Sequence, residues 1–330
     1  MRYLSLFSGI GGFELGIQQA QNHAECIGYS EIDRYAIQIY ERHFQHKNYG
    51  NITKIIAEKL PSFEFLCGGF PCQSFSIAGK RGGFADTRGT LFFDIARILA
   101  TCRPRLLLLE NVKGLLSHDT GKTFTTIIGT LDELGYDLQW QVLNSKNFGV
   151  PQNRERVFIV GHLRGTPRPK VFPIGNSDEN DIKPTKELRE QISNMLRTNY
   201  SNGKANETHI GEIKQMNQPT HSNDRIYGEE GISPSLNTMQ SGRRQPKIIH
   251  RDLRSVEDGL SATLRSGGRG GVPSQRILNG LKIRRLTPLE CERLQGFPDN
   301  WTVGVSDTQR YKCLGNAVTV NVIKFIASRL

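Results

Sequence analysis

Short apolar runs alternate with amphipathic stretches over the first 165 residues of the chain. "YLSLF" (3–7), "AECIGYS" (24–30), "FEFLCGG" (63–69), "RLLLLEN" (105–111), "DLQWQVLN" (137–144) and "RVFIVGHL" (156–163) read as strands. Between them, "GGFELGIQQAQ", "RYAIQIYERHF", "TLFFDIARILATC" and "TFTTIIGTLDELG" carry apolar residues at helical spacing. Near-continuous apolar strands alternating with amphipathic helices predict an α/β fold, a doubly wound, mostly parallel sheet covered on both faces. The pattern breaks after "RGTPRPKVFP", where residues 175–245 turn polar and rich in Asn, Ser, Gly and Glu. The tail "NAVTVNVIKFIASRL" again reads as an amphipathic helix able to pack back on the sheet. The expected division is a first domain over 1–170 completed by 305–330, and a smaller, irregular domain over 171–304. Within the latter, "GISPSLNT" (231–238) and "GLSATLRS" (259–266) form a faint repeat or a chance likeness, each followed by a Gly/Arg-rich turn and a β-like run, "PKIIH" or "SQRIL".

Charge changes this picture more than composition does. The net charge is +11, and from Arg225 to Arg285 twelve Lys/Arg face five Asp/Glu. Such a local excess suits a polyanionic partner, although a solvated basic surface would look the same. No run of about 20 apolar residues spans a membrane, and the N-terminal stretch lacks the features of a secretory signal, so an intracellular, cytoplasmic protein is expected. The six cysteines form no CxxC pair and have no histidine cluster beside them, so no structural metal is expected. No long heptad or apolar stripe asks for a dimer, and a monomer is expected.

Three places carry candidate chemistry. Gly9, Gly11 and Gly12 of "LFSGIGGFELG" stand between the first strand and a helix, where backbone N–H groups can approach a ligand; a plain tight turn fits equally well. Glu31, after the second strand, is placed to bind ribose hydroxyls. Cys72 of "GGFPCQSFS" follows the third strand, at the carboxyl end of a parallel sheet where ligands bind, and a reactive thiol there needs cationic neighbours. Arg154 and Arg156 of "PQNRERVFIV" are the candidates, and "RLLLLEN" delivers Glu110 and Asn111 to the same end, although "LEN" alone also suits a helix cap. One reaction uses all of these parts. A thiolate adds to C6 of a cytosine, and C5 becomes nucleophilic toward a sulfonium methyl group.

The wording and order of the motifs resemble the DNA cytosine-5 methyltransferases of the bacterial and phage type. "FSGIGG", "GGFPCQSFS", "DTRGTLFFDI", "ENV", "QNRER", "RRLTPLECERLQGFP" and "KCLGNAV" follow one another as in that family, covering about 1–165 and 283–330. The resemblance implies a class I S-adenosylmethionine-dependent methyltransferase fold in the first domain and target recognition of double-stranded DNA in the second. It implies Cys72 as the nucleophile, Glu110 on the N3 and N4 edge of the cytosine, Arg156 at O2, and Arg154 orienting the site and a nearby phosphate. Phe7, Gly9, Ile10, Gly11, Gly12, Glu31, Ile32, Asn51, Pro71, Leu91, Asn316 and Val318 would form the pocket for S-adenosylmethionine, whose product is S-adenosylhomocysteine. Pro71 would also fix the shape of the nucleophile loop, which must meet a base rotated out of its stack. Arg243, Arg244, Arg265 and Arg269, near the tips of the repeated loops, are candidate DNA contacts. A restriction–modification context follows from the same resemblance, with a cognate endonuclease acting on the same site.

Two departures stand out. "GNI" (50–52) replaces the usual Gly-Asp-Ile, and Ile32 follows Glu31 where an aromatic is frequent, so weaker cofactor binding is expected. Amino-methylating enzymes would carry adjacent prolines, which this chain lacks. A tRNA cytosine-5 methyltransferase is the closest alternative, but usually carries Pro-Pro-Cys and Cys-Phe-Thr, both absent here. A NAD-linked oxidoreductase explains only about the first 60 residues, and a catalytically dead relative would not keep the cysteine, glutamate and arginines.

Overall fold

A computed structural model describes residues 1–71, 91–167, 169–174 and 286–330, with the backbone of four further strands between 226 and 285. Six strands form the central sheet: β1 (Arg2–Leu6), β2 (Glu25–Ser30), β3 (Phe65–Gly69), β4 (Leu106–Val112), β5 (Tyr136–Asn144) and β7 (Glu155–Leu163), with β6 (Gln152–Asn153) a two-residue strand outside it. Their spatial order is β2-β1-β3-β4-β7-β5. The pairs β1/β2, β1/β3 and β3/β4 are parallel, whereas β7 runs antiparallel to both β4 and β5. The one reversed strand matters for chemistry, because it brings the start of β7 beside the end of β4.

The four consecutive leucines of β4 show why the sheet is covered twice. Leu107 and Leu109 face α3 (Leu91–Cys102) and α4 (Lys122–Glu133), packing with Phe92, Ile95, Leu99, Ile127 and Leu131. Leu106 and Leu108 face the other way, toward Phe13 and Ile17 of α1 (Gly12–Ala20) and Val322, Ile323 and Ile326 of α7 (Val320–Ala327). A strand with period-two side chains and two apolar faces has to be buried on both. All four leucines are fully buried, each worth about 2 kcal/mol over exposure.

A third cluster joins the end of the chain to the start. Leu286, Cys291 and Leu294 around α5 (Pro288–Leu294), with Phe297 and Trp301, pack on Ile10, Leu15 and two residues of α2 (Arg34–Tyr40), Ala36 and Ile39. Residues on both sides of 304/305 share this core, and Val171, Phe172 and Ile174 are buried in the separate cluster on the α1 and α7 face of the sheet. The edge strand β5 holds that segment through side chains. Gln139 accepts from the Val171 and Phe172 amides, and Gln141 both accepts from the Ile174 amide and donates to its carbonyl. Residues up to Ile174 and residues from Leu286 onward therefore pack in the clusters around the central sheet.

The tail also differs from expectation. The helix begins at Val320, not at Asn316, which ends α6 (Asp307–Asn316). Ala317 is extended because tertiary partners claim this stretch. Arg154 takes the carbonyls of Gly315 and Ala317, and Thr319 Oγ1 binds Gln295. Between Ile174 and Leu286, β10 (Lys247–Arg251) pairs antiparallel with β11 (Leu281–Arg285) and parallel with β8 (Ile226–Gly228). The "PKIIH" run is the strand β10, while "SQRIL" lies outside the described residues. The β9 strand (Ser233–Pro234) pairs in parallel with β6, linking the two regions.

Candidate active site

The turn after β1 is held in an unusual shape. Phe7, Gly9 and Gly11 all have positive φ, at 54°, 56° and 88°. For the phenylalanine this is a costly conformation that persists only when its surroundings impose it. At Gly11 a Cβ would come within 2.5 Å of the Phe44 ring, so only glycine fits. At Gly9 a Cβ would meet nothing within 4 Å among the described residues, which leave the turn open on that side. Gly12 starts α1 and lies against Val318.

Glu31 reaches this turn because β1 and β2 are neighbours with Leu6 opposite Ser30. One carboxylate oxygen accepts from Gly9 N at 2.9 Å, and the other from the Ile32 and Asp33 amides at 2.8 Å each. Ile32 beside it is 71% exposed, an apolar surface next to a carboxylate at the open end of the sheet. The 48–51 stretch lies alongside, with Asn48 donating to the Glu31 carbonyl and Ser30 Oγ to the Gly50 carbonyl. Asn51 stands at the head of the next turn. Its Oδ1 caps the turn Ile52–Lys54 by accepting from the Thr53 amide and hydroxyl, both at 3.0 Å, so that oxygen is already engaged. Leu91 opens α3 half-buried against the core, and Asn316 is exposed at the end of α6.

The second half of the site lies two strands along. Glu110 Oε1 and Arg156 Nε are 3.0 Å apart, with side chains 12% and 16% exposed. They meet because β7 runs backwards, placing Arg156 opposite Val112 and Phe158 opposite Glu110. Burial pushes the Glu110 carboxyl above the usual carboxylate range, and the charges of Arg156 and then Arg154 only partly offset it. Gly69 on β3 pairs with Glu110, and a Cβ there would stand 2.9 Å from Glu110 Oε2. Asn111, 2% exposed, donates to the Phe70 carbonyl at 2.9 Å and fixes the backbone just before Pro71, which is exposed.

Arg154 is also 2% exposed, and its Nη2 donates to the carbonyls of Gly315 and Ala317 at 3.1 and 2.8 Å. Burial and the neighbouring Arg156 lower its affinity for a proton, and Glu110 raises it. A side chain so enclosed is held in place by carbonyls of the chain itself. The C-terminal strap 315–318 is thereby tied to both halves of the site. Cys72, Arg243, Arg244, Arg265 and Arg269 lie outside the described residues.

The C-5 cytosine-specific DNA methylase family matches residues 1–330, the whole chain. The chain belongs to this family. The methylase is 34% identical to the Type II methyltransferase M.HhaI of Haemophilus parahaemolyticus, over 99% of this chain and 93% of that protein. It is 38% identical to the Type II methyltransferase M.HpaII of Haemophilus parainfluenzae, over 99% of this chain and 88% of that protein. Its fold matches the crystal structure of the S. pombe Dnmt2 methyltransferase with a TM-score of 0.67 at 19% identity, covering 99% and 97% of the two chains. The methylase is a DNA cytosine-5 methyltransferase, and the family match favours DNA over the tRNA alternative.

Sequence reasoning passed over two residues that shape this site. Gly69 was legible only as part of a glycine pair, and its function depends on the β3/β4 register, which no local pattern fixes. Asn111 stood in the motif without a task, because its partner is the backbone carbonyl of Phe70, just past the end of β3. Among the described residues no helix is long and apolar enough to cross a membrane, and no group of three or more His, Cys, Asp or Glu could hold a metal ion.

Proposed function

We propose that the methylase holds duplex DNA between its lobes, rotates one cytosine out of the stack, and joins it to Cys72 at C6 before C5 is methylated. The observation that carries this reading is the enclosed Glu110–Arg156 pair at the strand ends, one strand from Pro71. The Cys72 thiolate adds to C6, and negative charge moves into the ring toward N3. Glu110, whose carboxyl burial keeps more readily protonated, gives its proton to N3 and receives the hydrogen bond of the N4 amino group. Arg156 spends Nε on Glu110 and Nη1 on the Glu155 carbonyl, and among the described residues Nη2 is left for O2 of the base. Arg154 holds the 315–317 strap beside them. Once C5 carries the methyl group, its proton passes to water, the thiolate leaves C6 by β-elimination, and N3 returns its proton to Glu110, which restores the aromatic ring and the starting enzyme.

The turn fits S-adenosylmethionine. Among the described residues Gly9 faces open space, the Glu31 carboxylate lies where ribose hydroxyls can exchange for its present backbone partners, and exposed Ile32 offers adenine an apolar surface. When bound, the cofactor supplies a methyl group on a sulfonium, an electrophile for C5, and leaves as S-adenosylhomocysteine. The engaged oxygen of Asn51 supports weaker adenine binding than an aspartate would give.

Type II relatives support a restriction–modification role, in which methylation shields DNA from a cognate endonuclease of the same specificity. We read the enzyme as a cytoplasmic monomer. Bisulfite sequencing of plasmid DNA incubated with enzyme and S-adenosylmethionine tests the reading. Protected cytosines confined to one short context are expected. Cys72→Ala should abolish protection, since alanine cannot form the C6 adduct, and near-normal turnover by that variant would refute the covalent mechanism.

A further inference from the structure

The segment that leaves the recognition region ends on the glycine turn. Trp301 is 7% exposed, and its indole Nε1–H donates to the Ile10 carbonyl at 2.9 Å, across 291 residues of sequence. The ring itself is held tightly. His43 stacks on it with centroids 3.6 Å apart and planes within 7°, and His43 Nε2 lies 2.7 Å from the Trp301 carbonyl. A carbonyl can only accept, so that nitrogen carries a proton. Phe44, the next residue, meets the indole edge-on at 5.8 Å and also closes the space beside Gly11. One aromatic block therefore touches the turn at two successive residues.

We propose that Trp301 is a positioning residue for S-adenosylmethionine, acting through the Ile10 carbonyl to hold Gly9–Gly11 in its receptive shape. The proposal rests on reading that turn as the cofactor site. The turn has three positive-φ residues, one of them Phe7, and such backbone relaxes unless it is held. Glu31 holds it on one side through Gly9 N, and Trp301 holds it on the other through Ile10 O. An indole has a single N–H and no acceptor, so its one polar interaction is committed to this turn. Without that bond the turn has more conformations, and the cofactor must freeze them on binding. The loss falls on cofactor affinity, not on DNA affinity.

The chain has two tryptophans, and the other, Trp140, is half-exposed on the edge strand β5, at the far side of the sheet from β1 and β2. A Trp140→Phe enzyme makes Trp301 the only indole. Titration with S-adenosylhomocysteine should change Trp301 emission saturably, with the midpoint found by calorimetry. In wild-type background, Trp301→Phe keeps a stacked ring and removes the donor. It should weaken S-adenosylhomocysteine binding about five- to tenfold, the effect of one hydrogen bond, and move the Kd for duplex DNA less than twofold. If wild type binds S-adenosylhomocysteine but the variant binds it equally well, the positioning role is wrong and the cofactor reading stands. The positioning role fails equally if Trp301 emission ignores saturating ligand, a result that does not depend on the variant folding. Equal losses for cofactor and DNA would make Trp301 a merely structural residue and overturn the proposal. Failure of wild type to bind S-adenosylhomocysteine would overturn both.

Discussion

Glu110 and Arg156 sit 3.0 Å apart with little exposure, and burial raises the proton affinity of the carboxyl. Burial destabilises the carboxylate, so the folded enzyme keeps the proton to higher pH than a free side chain would. That proton is the one needed at N3, so turnover should decline as pH rises through the raised pKa. Glu110→Gln keeps the shape and cannot deliver a proton. Its kcat should fall by about 10²–10³-fold, within the usual range for general acid–base catalysis, and its profile should be flat where the wild type declines. A parallel decline in both enzymes would assign the ionisation elsewhere. Gly69→Ala tests placement instead of proton supply. The new Cβ would stand 2.9 Å from Glu110 Oε2, which must swing away. We expect a folded enzyme whose melting temperature barely moves and whose kcat falls at least about tenfold, because small misplacements are expensive in catalysis. Unchanged kcat would show that the carboxylate tolerates displacement.

At the scale of elements, α1 carries a liability in its first turn. Glu14 is fully buried, and its carboxyl is pushed up to about 6 by burial, although Tyr40 Oη donates to one oxygen at 3.1 Å. The other oxygen, Oε2, has no hydrogen-bond partner among the described residues. Because the folded-state value lies above the unfolded one, the native state binds this proton more tightly. The stability this proton provides is intact below about pH 4 and is lost as pH rises through about 6, a cost of about 2 kcal/mol by pH 8. Glu14→Gln should therefore melt higher than wild type at pH 8 and together with it at pH 4; an equal offset at both pH values would exclude titration as the cause. None of this was visible in "GGFELG", where Glu14 looks like an ordinary polar position of an amphipathic helix. The elements themselves were legible, because four leucines in a row can only be a doubly buried strand or helix and the flanking pattern chose the strand. The reversal of β7 was not, since apolar periodicity carries no direction. The start of α7 was hidden too, because Arg154 and Gln295, far away in sequence, compete for the groups that a longer helix would use.

At the scale of the whole molecule, the first lobe is assembled from both ends of the chain, and the basic segment from Arg225 to Arg285 interrupts it. Its positive charge is plain in the sequence, whereas the packing of the residues that follow it is not. Residues 286–301 look polar enough to belong with it, yet they pack on α1 and α2. The basic excess of twelve cations over five anions predicts how DNA binding responds to salt. Each phosphate neutralised releases condensed counterions, so the logarithm of the binding constant should fall linearly with the logarithm of salt, by about 0.9 per contact. The four candidate arginines then separate by behaviour. Where Arg243, Arg244, Arg265 or Arg269 touches phosphate, replacement by Gln should weaken cognate and unrelated duplexes alike and flatten the slope by about 0.9. Where one reads a guanine edge, the same change should cost about 1–3 kcal/mol on the cognate duplex alone, with the slope on unrelated DNA unchanged. Fluorescence anisotropy on both duplexes across a salt series measures the two effects together. A slope near zero for the wild type would mean that the basic segment faces solvent, and the DNA would then have to be held by the first lobe.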